Sequence, residues 1–296
     1  MTRRDLLAAG LALPSLGAVS GPTQPAPFAL DYAPHFGMFD VHAGTDIASQ
    51  LQFMHSEGFR SLEDNEMRGR PTDVQEQIGQ TLSDLGMRMG VFVAHDIAWT
   101  RPNLAGGDPD ERSAFVEQVR ASVDVAKRVG ATWMTVVPGT VDPRQDRGYQ
   151  LAHMIETLKQ AAGVLEPHGL VMVLEPLNFR DHPTLALTKM ADAYLLCRSV
   201  GSPSCKILCD VYHQQIQEGN LIPNIDACWD EIAYIQVGDN PGRKEPTTGE
   251  INYTNVFAHL KAKGYTGIIG MEHGNAGTGK AGERAVIEAY RAVDPA

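Results

Sequence analysis

The sequence predicts an α/β fold in which eight parallel strands alternate with helices and close into a (β/α)8 barrel, the TIM-barrel architecture. Three observations favour this fold. Short apolar runs alternate with longer amphipathic stretches from about residue 28 to the end of the 296-residue chain. Helical stretches repeatedly end in a glycine before the next apolar run. The length suits one large barrel domain, which we assign to residues 26–296.

The apolar runs define eight predicted strands, and the stretches between them define the predicted helices. We expect strands at 29–38, 61–63, 88–94, 133–137, 171–174, 206–209, 232–236 and 267–271. We expect helices at 48–57, 74–85, 110–129, 150–166, 190–200, 253–263 and 282–291. Short continuous apolar runs are typical of buried parallel strands, whereas longer amphipathic stretches are typical of surface helices.

Glycines at the junctions support this order of elements. Gly86 and Gly130 each follow a predicted helix and precede a predicted strand, and glycine tolerates the left-handed conformation that closes a helix. Strands separated by helices must run parallel, because each crossover returns the chain to the same end of the sheet. Neither GxGxxG after the first strand nor GxxxxGK[ST] occurs, which argues against a nucleotide-binding doubly wound sheet.

Residues 1–25 predict a twin-arginine-type signal peptide. Arg3 and Arg4 precede an apolar run at 6–19 that ends in small residues and is too short to span a bilayer. The alternative, an N-terminal helix of the domain, is disfavoured because Pro14 interrupts the run. We therefore expect export to the periplasm and no stable membrane anchor.

The composition argues against a nucleic-acid partner. The formal net charge is −11, and a strong polyanion repels nucleic acid, so no nucleic-acid partner is expected. The four cysteines form no CxxC pair and no zinc knuckle with nearby histidines. The sequence leaves open whether the barrel forms a homo-oligomer.

Four predicted strands end at an oxygen-bearing side chain. These are Glu175, Asp210, Gln236 and Glu272, at intervals of 35, 26 and 36 residues, each about one β/α repeat. The carboxyl ends of barrel strands share one rim, so these side chains can converge there. Three carboxylates in a poorly solvated pocket repel one another unless a cation neutralises them. Oxygen donors suit one divalent ion, Mg²⁺ or Mn²⁺ with Co²⁺ as an alternative, so we predict all four residues as metal ligands.

Motifs in the second half of the chain lie at these strand ends. They are EPLN at 175–178, DVYHQ at 210–214, IQV at 235–237, PGRKEP at 241–246 and GEINY at 249–253. This set resembles the hydroxypyruvate isomerase family, one of the xylose isomerase-like barrels, over roughly residues 170–275. The resemblance implies the same four metal ligands, and it implies that His213 and Arg243 contact substrate oxygens.

Two further side chains are candidates for substrate binding at the same rim. Glu63 ends the second predicted strand, and His95 follows the third. A satisfied rim histidine is the alternative for His95, a structural strand-end residue is the alternative for His213, and a solvated loop residue is the alternative for Arg243.

We hypothesise an intramolecular aldose–ketose type isomerase that interconverts a small hydroxy-aldehyde and a ketone, of the hydroxypyruvate and tartronate semialdehyde kind, through an enediolate. Glu175 and Glu272 are the predicted catalytic residues: one removes the carbon-bound proton, and the same residue or its partner returns a proton. The alternatives are a ketose 3-epimerase or other sugar isomerase, inosose dehydration and, outside enzymes, a periplasmic sugar-binding module. A barrel endonuclease is opposed by the net charge of −11 and by the lack of a richer histidine–carboxylate cluster for several zinc ions. The sequence leaves the substrate and the native metal open.

Overall fold

The structure, a computed structural model, describes residues 26–295 of the chain. The predicted signal peptide at 1–25 lies outside the described residues. Within them the chain forms a (β/α)8 barrel, which confirms the fold predicted from the sequence. No helix between residues 26 and 295 is long and apolar enough to cross a membrane.

Eight parallel strands follow one another around the barrel. They are β1 (Asp31–Ala33), β2 (Ser61–Leu62), β3 (Arg88–Met89), β4 (Trp133–Val136), β5 (Val171–Leu174), β6 (Cys205–Asp210), β7 (Ile232–Val237) and β8 (Ile268–Met271). Strands β4 to β8 and β1 form one continuous sheet, and β2 pairs with β3. Parallel bridges from His35 to Glu63 and from Val93 to Thr135 join the two sheets at both edges, so the ring closes.

The first and third strands are shorter than predicted. The strand expected at 29–38 pairs regularly only over Asp31–Ala33, because Pro34 has no N–H to donate to a neighbouring strand. The third strand pairs regularly only at its start, and the wall continues as single backbone bonds. One of these runs from the Thr135 N–H to the Phe92 carbonyl oxygen at 2.8 Å.

The helices surround the barrel. They are α1 (Asp40–Ala43), α2 (Ile47–Ser56), α3 (Thr72–Leu85), α4 (Pro109–Val129), α5 (Arg147–Leu165), α6 (Met190–Val200), α7 (Val211–Gln217), α8 (Leu221–Cys228), α9 (Tyr253–Ala262) and α10 (Gly279–Val293). Each predicted helix is present, and α1, α7 and α8 are additional. These three are too short to show a helical period in the sequence. Gly86 and Gly130 close α3 and α4 with φ of 64° and 68°, as predicted.

Apolar side chains fill the inside of the barrel, so it is a packed core rather than a channel. A second, larger apolar cluster lies between the strands and the surrounding helices. Because the interior is filled, polar side chains at the strand ends can meet solvent only at the rim. The interior cluster consists of Ala33, Val91, Val173, Leu208, Tyr234 and Ile268, each fully buried.

His95 lies just beyond β3 and helps to hold this side of the barrel to β4. Its Nε2 accepts a hydrogen bond from the Val137 N–H at 3.3 Å, and its Nδ1 lies 3.2 Å from the Asp96 carbonyl oxygen. Its ring packs edge-on against Phe115. Both ring nitrogens are used within the fold, which leaves neither for the predicted substrate contact and favours the alternative of a satisfied rim histidine. Burial lowers the pKa of His95 to about 4.

We predict that the His95→Gln variant, which keeps an acceptor for the Val137 N–H, loses less stability on acidification than the wild-type protein. The pKa of His95 rises from about 4 in the folded chain to its ordinary value of 6.5 on unfolding. Its contribution to stability is therefore present above pH 6.5 and is lost as the pH falls toward 4.

For one such group the loss is about 2 kcal/mol between pH 7.5 and 5.0. Urea unfolding of both proteins at these two pH values measures the difference. An equal pH dependence in the two proteins would contradict this account of the buried ring.

Candidate active site

The structure brings the four predicted strand-end residues to one rim. Glu175 follows β5, Asp210 ends β6, Gln236 lies in β7 and Glu272 follows β8. The strand register sets Asp210 beside Gln236 and Gln236 beside Gly270. Glu175, Asp210 and Gln236 are buried, whereas the Glu272 side chain is 27 % exposed. The four side chains therefore lie on neighbouring strands, with Glu272 nearest to solvent.

Glu175, Asp210 and His213 form a compact group at this rim. One ligand atom from each of them lies within 4.8 Å of the others. His213 Nε2 is 3.6 Å from Asp210 Oδ2 and 3.9 Å from Glu175 Oε1. Among residues 26–295, this is the one group of three or more acidic, histidine or cysteine side chains close enough to share an ion, and Glu272 is not part of it.

Asp210 has two roles because it ends β6 and caps α7. Its Oδ1 accepts hydrogen bonds from the Tyr212 N–H at 2.8 Å and the His213 N–H at 3.3 Å, which satisfies free donors in the first helical turn. Its Oδ2 faces His213 and Arg243. The junction of β6 and α7 therefore presents an acid and a histidine to the same space.

Asn178 fixes which nitrogen of His213 faces the carboxylates. The Asn178 backbone N–H donates to His213 Nδ1 at 3.2 Å, so Nδ1 is an acceptor. A neutral imidazole then carries its proton on Nε2, the nitrogen nearest Glu175 and Asp210. Burial lowers the pKa of His213 to about 4, which keeps the ring neutral. In this arrangement His213 Nε2 is a hydrogen-bond donor, which suits the predicted contact with a substrate oxygen.

Arg243 links the acidic residues of two strands. Its Nη2 lies 3.0 Å from Asp210 Oδ2 and 2.7 Å from Glu272 Oε2, and its Nε donates to the Glu272 carbonyl oxygen at 3.1 Å. The guanidinium lies 4.8 Å from the centre of the Tyr212 ring. Asn65 donates to the other Glu272 carboxylate oxygen at 2.9 Å. Arg243 is therefore held at the site, unlike the solvated loop residue that was its alternative.

Glu63 lies beneath the site and does not face the space above the rim. Its Oε1 accepts from Gln236 Nε2 at 2.7 Å and its Oε2 accepts from the Tyr234 hydroxyl at 2.9 Å. Both carboxylate oxygens are engaged and the residue is 2 % exposed, so Glu63 holds the Gln236 amide in place, and its contact with a substrate stays a prediction. Gly270 makes room for it, since a Cβ there would lie 1.8 Å from Glu63 Oε2.

The oxygen atoms at the rim fit a divalent cation. Because Glu63 accepts from the Gln236 amide nitrogen, the Gln236 Oε1 is turned away, and it is buried with no hydrogen-bond partner among the described residues. Gln236 is paired with Asp210 in the strand register, and carboxylate and amide oxygens suit Mg²⁺ or Mn²⁺. The ligand roles of these residues and of Glu272 stay a prediction.

Burial and mutual repulsion raise the proton affinity of the carboxylates. The pKa of Glu175 is raised well above its usual range by burial and then by the charges of Glu272 and Asp210. Burial raises the pKa of Glu272 to about 7, although Arg243 opposes the shift. Carboxyl groups with pKa values shifted toward neutrality can both accept and return a proton.

Three side chains that support the site were missed in the sequence analysis: Asn65, Asn178 and Tyr234. Asn178 could have been found, because it lies in the EPLN motif three residues after Glu175. Asn65 and Tyr234 carry no comparable signal, since their partners are 207 and 171 residues away in the chain.

Comparison with solved structures shows a shared fold. A Brucella melitensis protein described as an AP endonuclease of family 2 superposes with a TM-score of 0.73 at 24 % identity, over 86 % of this chain and 96 % of that one. A D-psicose 3-epimerase crystallised in the presence of D-fructose superposes with a TM-score of 0.69 at 17 % identity, over 88 % and 90 % of the two chains.

Sequence comparison is more specific. A profile of the xylose isomerase-like TIM barrel family matches residues 51–293. The hydroxypyruvate isomerase of Escherichia coli is 31 % identical over 205 residues, which cover 66 % of this chain and 80 % of that protein. The 2-oxo-tetronate isomerase of Cupriavidus necator is 32 % identical over 165 residues, which cover 56 % of this chain and 64 % of that protein.

A human relative is 35 % identical over 174 residues, and the match spans 63 % of that relative's length. The motifs at the strand ends, the closed barrel and these matches agree with one another. The chain therefore belongs to the xylose isomerase-like TIM barrel family and, within it, to the group of the hydroxypyruvate isomerases.

Proposed function

We propose that the protein is a metal-dependent isomerase that interconverts a small hydroxy-aldehyde and the corresponding ketone. The observation that carries the proposal is that Glu175, Asp210, Glu272 and the free amide oxygen of Gln236 lie at the ends of four neighbouring strands, at one rim of the barrel. Relatives named hydroxypyruvate isomerase and 2-oxo-tetronate isomerase support a substrate of this class. A sugar-binding module would gain little from buried carboxylates with raised pKa values.

Side chains of the chain itself orient the substrate. His213 donates from Nε2 to one substrate oxygen, and its ring is fixed from behind by Asn178. Arg243 offers its guanidinium to a second oxygen, and its bonds to Asp210 and Glu272 hold it in place.

The two glutamates transfer the proton. One of Glu175 and Glu272 takes the proton from the carbon that bears the hydroxyl, and the C–H electron pair becomes the double bond of an enediolate. The same residue or its partner then returns a proton to the former carbonyl carbon, while the hydroxyl proton passes to the former carbonyl oxygen, so that the carbon that bore the hydroxyl becomes the new carbonyl carbon.

Glu175, Asp210, Gln236 and Glu272 would hold one divalent cation. When bound, the cation would polarise the carbonyl group and offset the charge of the carboxylates. Mg²⁺, Mn²⁺ and Co²⁺ all accept oxygen ligands, and the donor set alone does not choose between them.

A ketose 3-epimerase or another sugar isomerase of this fold is the second candidate. It is favoured by the positions of Glu175 after β5 and Glu272 after β8, because two proton carriers on different strands can serve opposite faces of one carbon. An activity screen with hydroxypyruvate, tartronate semialdehyde and four- to six-carbon ketoses, read by product stereochemistry, separates the two candidates.

We predict that Glu175→Gln or Glu272→Gln lowers the rate of solvent deuterium incorporation into the substrate by roughly 10²-fold or more, because one carboxylate carries the proton. Mass spectrometry of the substrate measures the incorporation. Glu117→Gln, an exposed change on α4, is the control and leaves the rate unchanged. Metal content measured in the same preparations separates loss of a proton carrier from loss of the cation, and full exchange in both site variants would exclude these glutamates as carriers.

We predict that Mg²⁺, Mn²⁺ or Co²⁺ stabilises the wild-type protein by about 2.7 kcal/mol at a hundredfold excess over Kd. Asp210→Asn keeps an acceptor for the α7 cap but removes a charge, so its stabilisation by the ion is smaller. Asp226→Asn on the exposed face of α8 is the control and responds like wild type. Thermal denaturation with and without each ion measures the effect, and no response together with no metal in the purified protein would reject the cation.

We further propose that residues 1–25 direct export to the periplasm by the twin-arginine route. The support is Arg3-Arg4 before a short apolar run. We predict that residues 1–27 carry a fused reporter into the periplasm and that replacing both arginines by lysine keeps it inside the cell. Cell fractionation measures its location, and the same location for both fusions would refute this route.

A further inference from the structure

Asp181 is an exposed residue in the turn that follows Asn178, on the loop after β5. Its Oδ2 nevertheless accepts two hydrogen bonds, from Asn178 Nδ2 at 2.9 Å and from the Tyr212 hydroxyl at 2.9 Å. Both donors belong to buried side chains. An exposed carboxylate ordinarily contacts water, so two bonds to buried side chains indicate a specific role for this residue.

The turn itself does not require the Asp181 carboxylate. The Arg180 N–H donates to Asn178 Oδ1 at 3.0 Å, and the Asp181 N–H donates to the same oxygen at 2.9 Å. Asn178 therefore closes the turn with its own side chain, as asparagine commonly does. The Phe179 N–H donates to Gln217 Oε1 at 2.8 Å, which attaches the turn to α7. The Asp181 carboxylate thus has no part in closing the turn or in attaching it.

On one side, Asp181 orients the side-chain amide of Asn178. Two backbone N–H groups hold the amide oxygen and Asp181 Oδ2 holds the amide nitrogen, so the amide has one favoured orientation. In that orientation its nitrogen lies 2.7 Å from His213 Nδ1, whereas the Asn178 backbone N–H lies 3.2 Å from it. Asp181 therefore holds the shorter of the two donors to Nδ1, and it supports the tautomer in which the His213 Nε2–H faces the carboxylates.

On the other side, Asp181 fixes the ring of Tyr212. The Tyr212 hydroxyl donates to Asp181, and the centre of the ring lies 4.8 Å from the guanidinium carbon of Arg243. A cation over an aromatic face is attracted by the ring, so the position of the ring influences the position of Arg243. The same ring packs edge-on against His213 with the centres 5.2 Å apart. One carboxylate oxygen therefore supports both side chains that we predict to contact substrate oxygens.

The charge of Asp181 suits this role. The hydrogen bond from Asn178 lowers the pKa of Asp181 below its ordinary value of 3.8, with a further contribution from Tyr212, although burial opposes the shift. The carboxylate is therefore ionised at neutral pH. A hydrogen bond to an ionised acceptor is about twice as strong as one between neutral groups, so both supports are held firmly.

We propose that Asp181 is a positioning residue of the candidate active site. Through Asn178 it directs His213, and through Tyr212 it supports Arg243, so that both side chains offer their donors in a fixed geometry. Asp181 itself does not touch the substrate in this role. The inference rests on the proposed function for what His213 and Arg243 bind, whereas the effect of Asp181 on the His213 ring can be measured without a substrate.

Steady-state kinetics tests the role, with Mg²⁺ present and with hydroxypyruvate or else the best substrate of the screen described above. Asp181→Ala should lower kcat/KM by roughly three- to tenfold, chiefly through KM, because two donors to the substrate lose their support. Asp181→Asn, which keeps an acceptor oxygen at the same place, should recover most of the loss. Asp124→Ala, which removes an exposed aspartate from α4, is the control and should leave both constants unchanged.

A double-mutant cycle shows whether Asp181 acts through Tyr212. Tyr212→Phe removes only the hydroxyl and should also raise KM. The combined loss in the double variant should be smaller than the product of the two single losses, because their shared hydrogen bond can be broken only once. Losses that multiply would contradict the proposal, and so would an unchanged KM in Asp181→Ala. If that variant does not fold, an unchanged KM in Tyr212→Phe has the same meaning.

The His213 ring provides a readout that does not depend on turnover. Nitrogen NMR of isotope-labelled protein, with Mg²⁺ and without substrate, distinguishes protonated from unprotonated ring nitrogens, and comparison with His213→Gln assigns the signals. In wild type we expect a neutral ring with its proton on Nε2. In Asp181→Ala the Nδ1 signal should move downfield, because this acceptor loses the donor that Asp181 holds. Asp181→Asn and Asp124→Ala should keep the wild-type signals.

Identical His213 signals in wild type and Asp181→Ala would overturn the inference, whether or not the enzyme is active. If no compound is turned over, the proposed function fails, and the NMR comparison alone decides whether Asp181 positions His213. A downfield move of the Nδ1 signal would then support the positioning role.

Discussion

Negative charge gathered at one end of the barrel is the constraint on which the rest of the site depends. Two carboxylates 4 Å apart repel by about 4 kcal/mol at an effective dielectric constant of 20, and the filled interior keeps water from the lower side of the rim. Local interactions therefore limit the repulsion at each acid. Asp210 accepts from the first turn of α7, and Glu272 accepts from Asn65 and Arg243. At Glu175 burial and the neighbouring charges raise the pKa, which favours the neutral acid.

Supporting side chains determine which atoms of His213 and Gln236 face the site. Asn178 settles the tautomer of His213, so that a proton rather than a lone pair faces the acids. Glu63 and Tyr234 settle the orientation of the Gln236 amide, so that its oxygen remains free. None of the three supporting residues needs to touch a substrate. They decide which atom of another side chain is offered to it.

The fold and the positions of the main acids follow from local sequence patterns. Alternation of apolar runs with glycine-closed helices is enough to predict the barrel, and a barrel forces the ends of its strands to share a rim. Glu175 and Asp210 could therefore be predicted together although they lie on different strands. Local sequence does not determine the direction in which a side chain at the rim points. Glu63 turns inward because it meets Tyr234 and Gln236 more than 170 residues away, and no periodicity in the sequence records such a meeting.

For His95, too, local sequence predicts the position but not the contacts of the side chain. Its position after an apolar run correctly indicates the rim, but the use of its nitrogens depends on the backbone of the next strand. The short helices α7 and α8 are not predicted for a different reason. About two turns contain too few residues to show a helical period in the sequence.

The lack of a side chain at Gly270 constrains which substitutions this sequence tolerates. Because the carboxylate of Glu63 occupies the volume that a methyl group would need, the two positions behave as one unit. An alanine at 270 requires the Glu63 side chain to move or to be shortened, and the amide at 236 then loses its anchor. Homologous sequences should therefore show these three positions changing in concert, and a homologue with a larger residue at 270 should solve the orientation of its strand-seven ligand by some other contact.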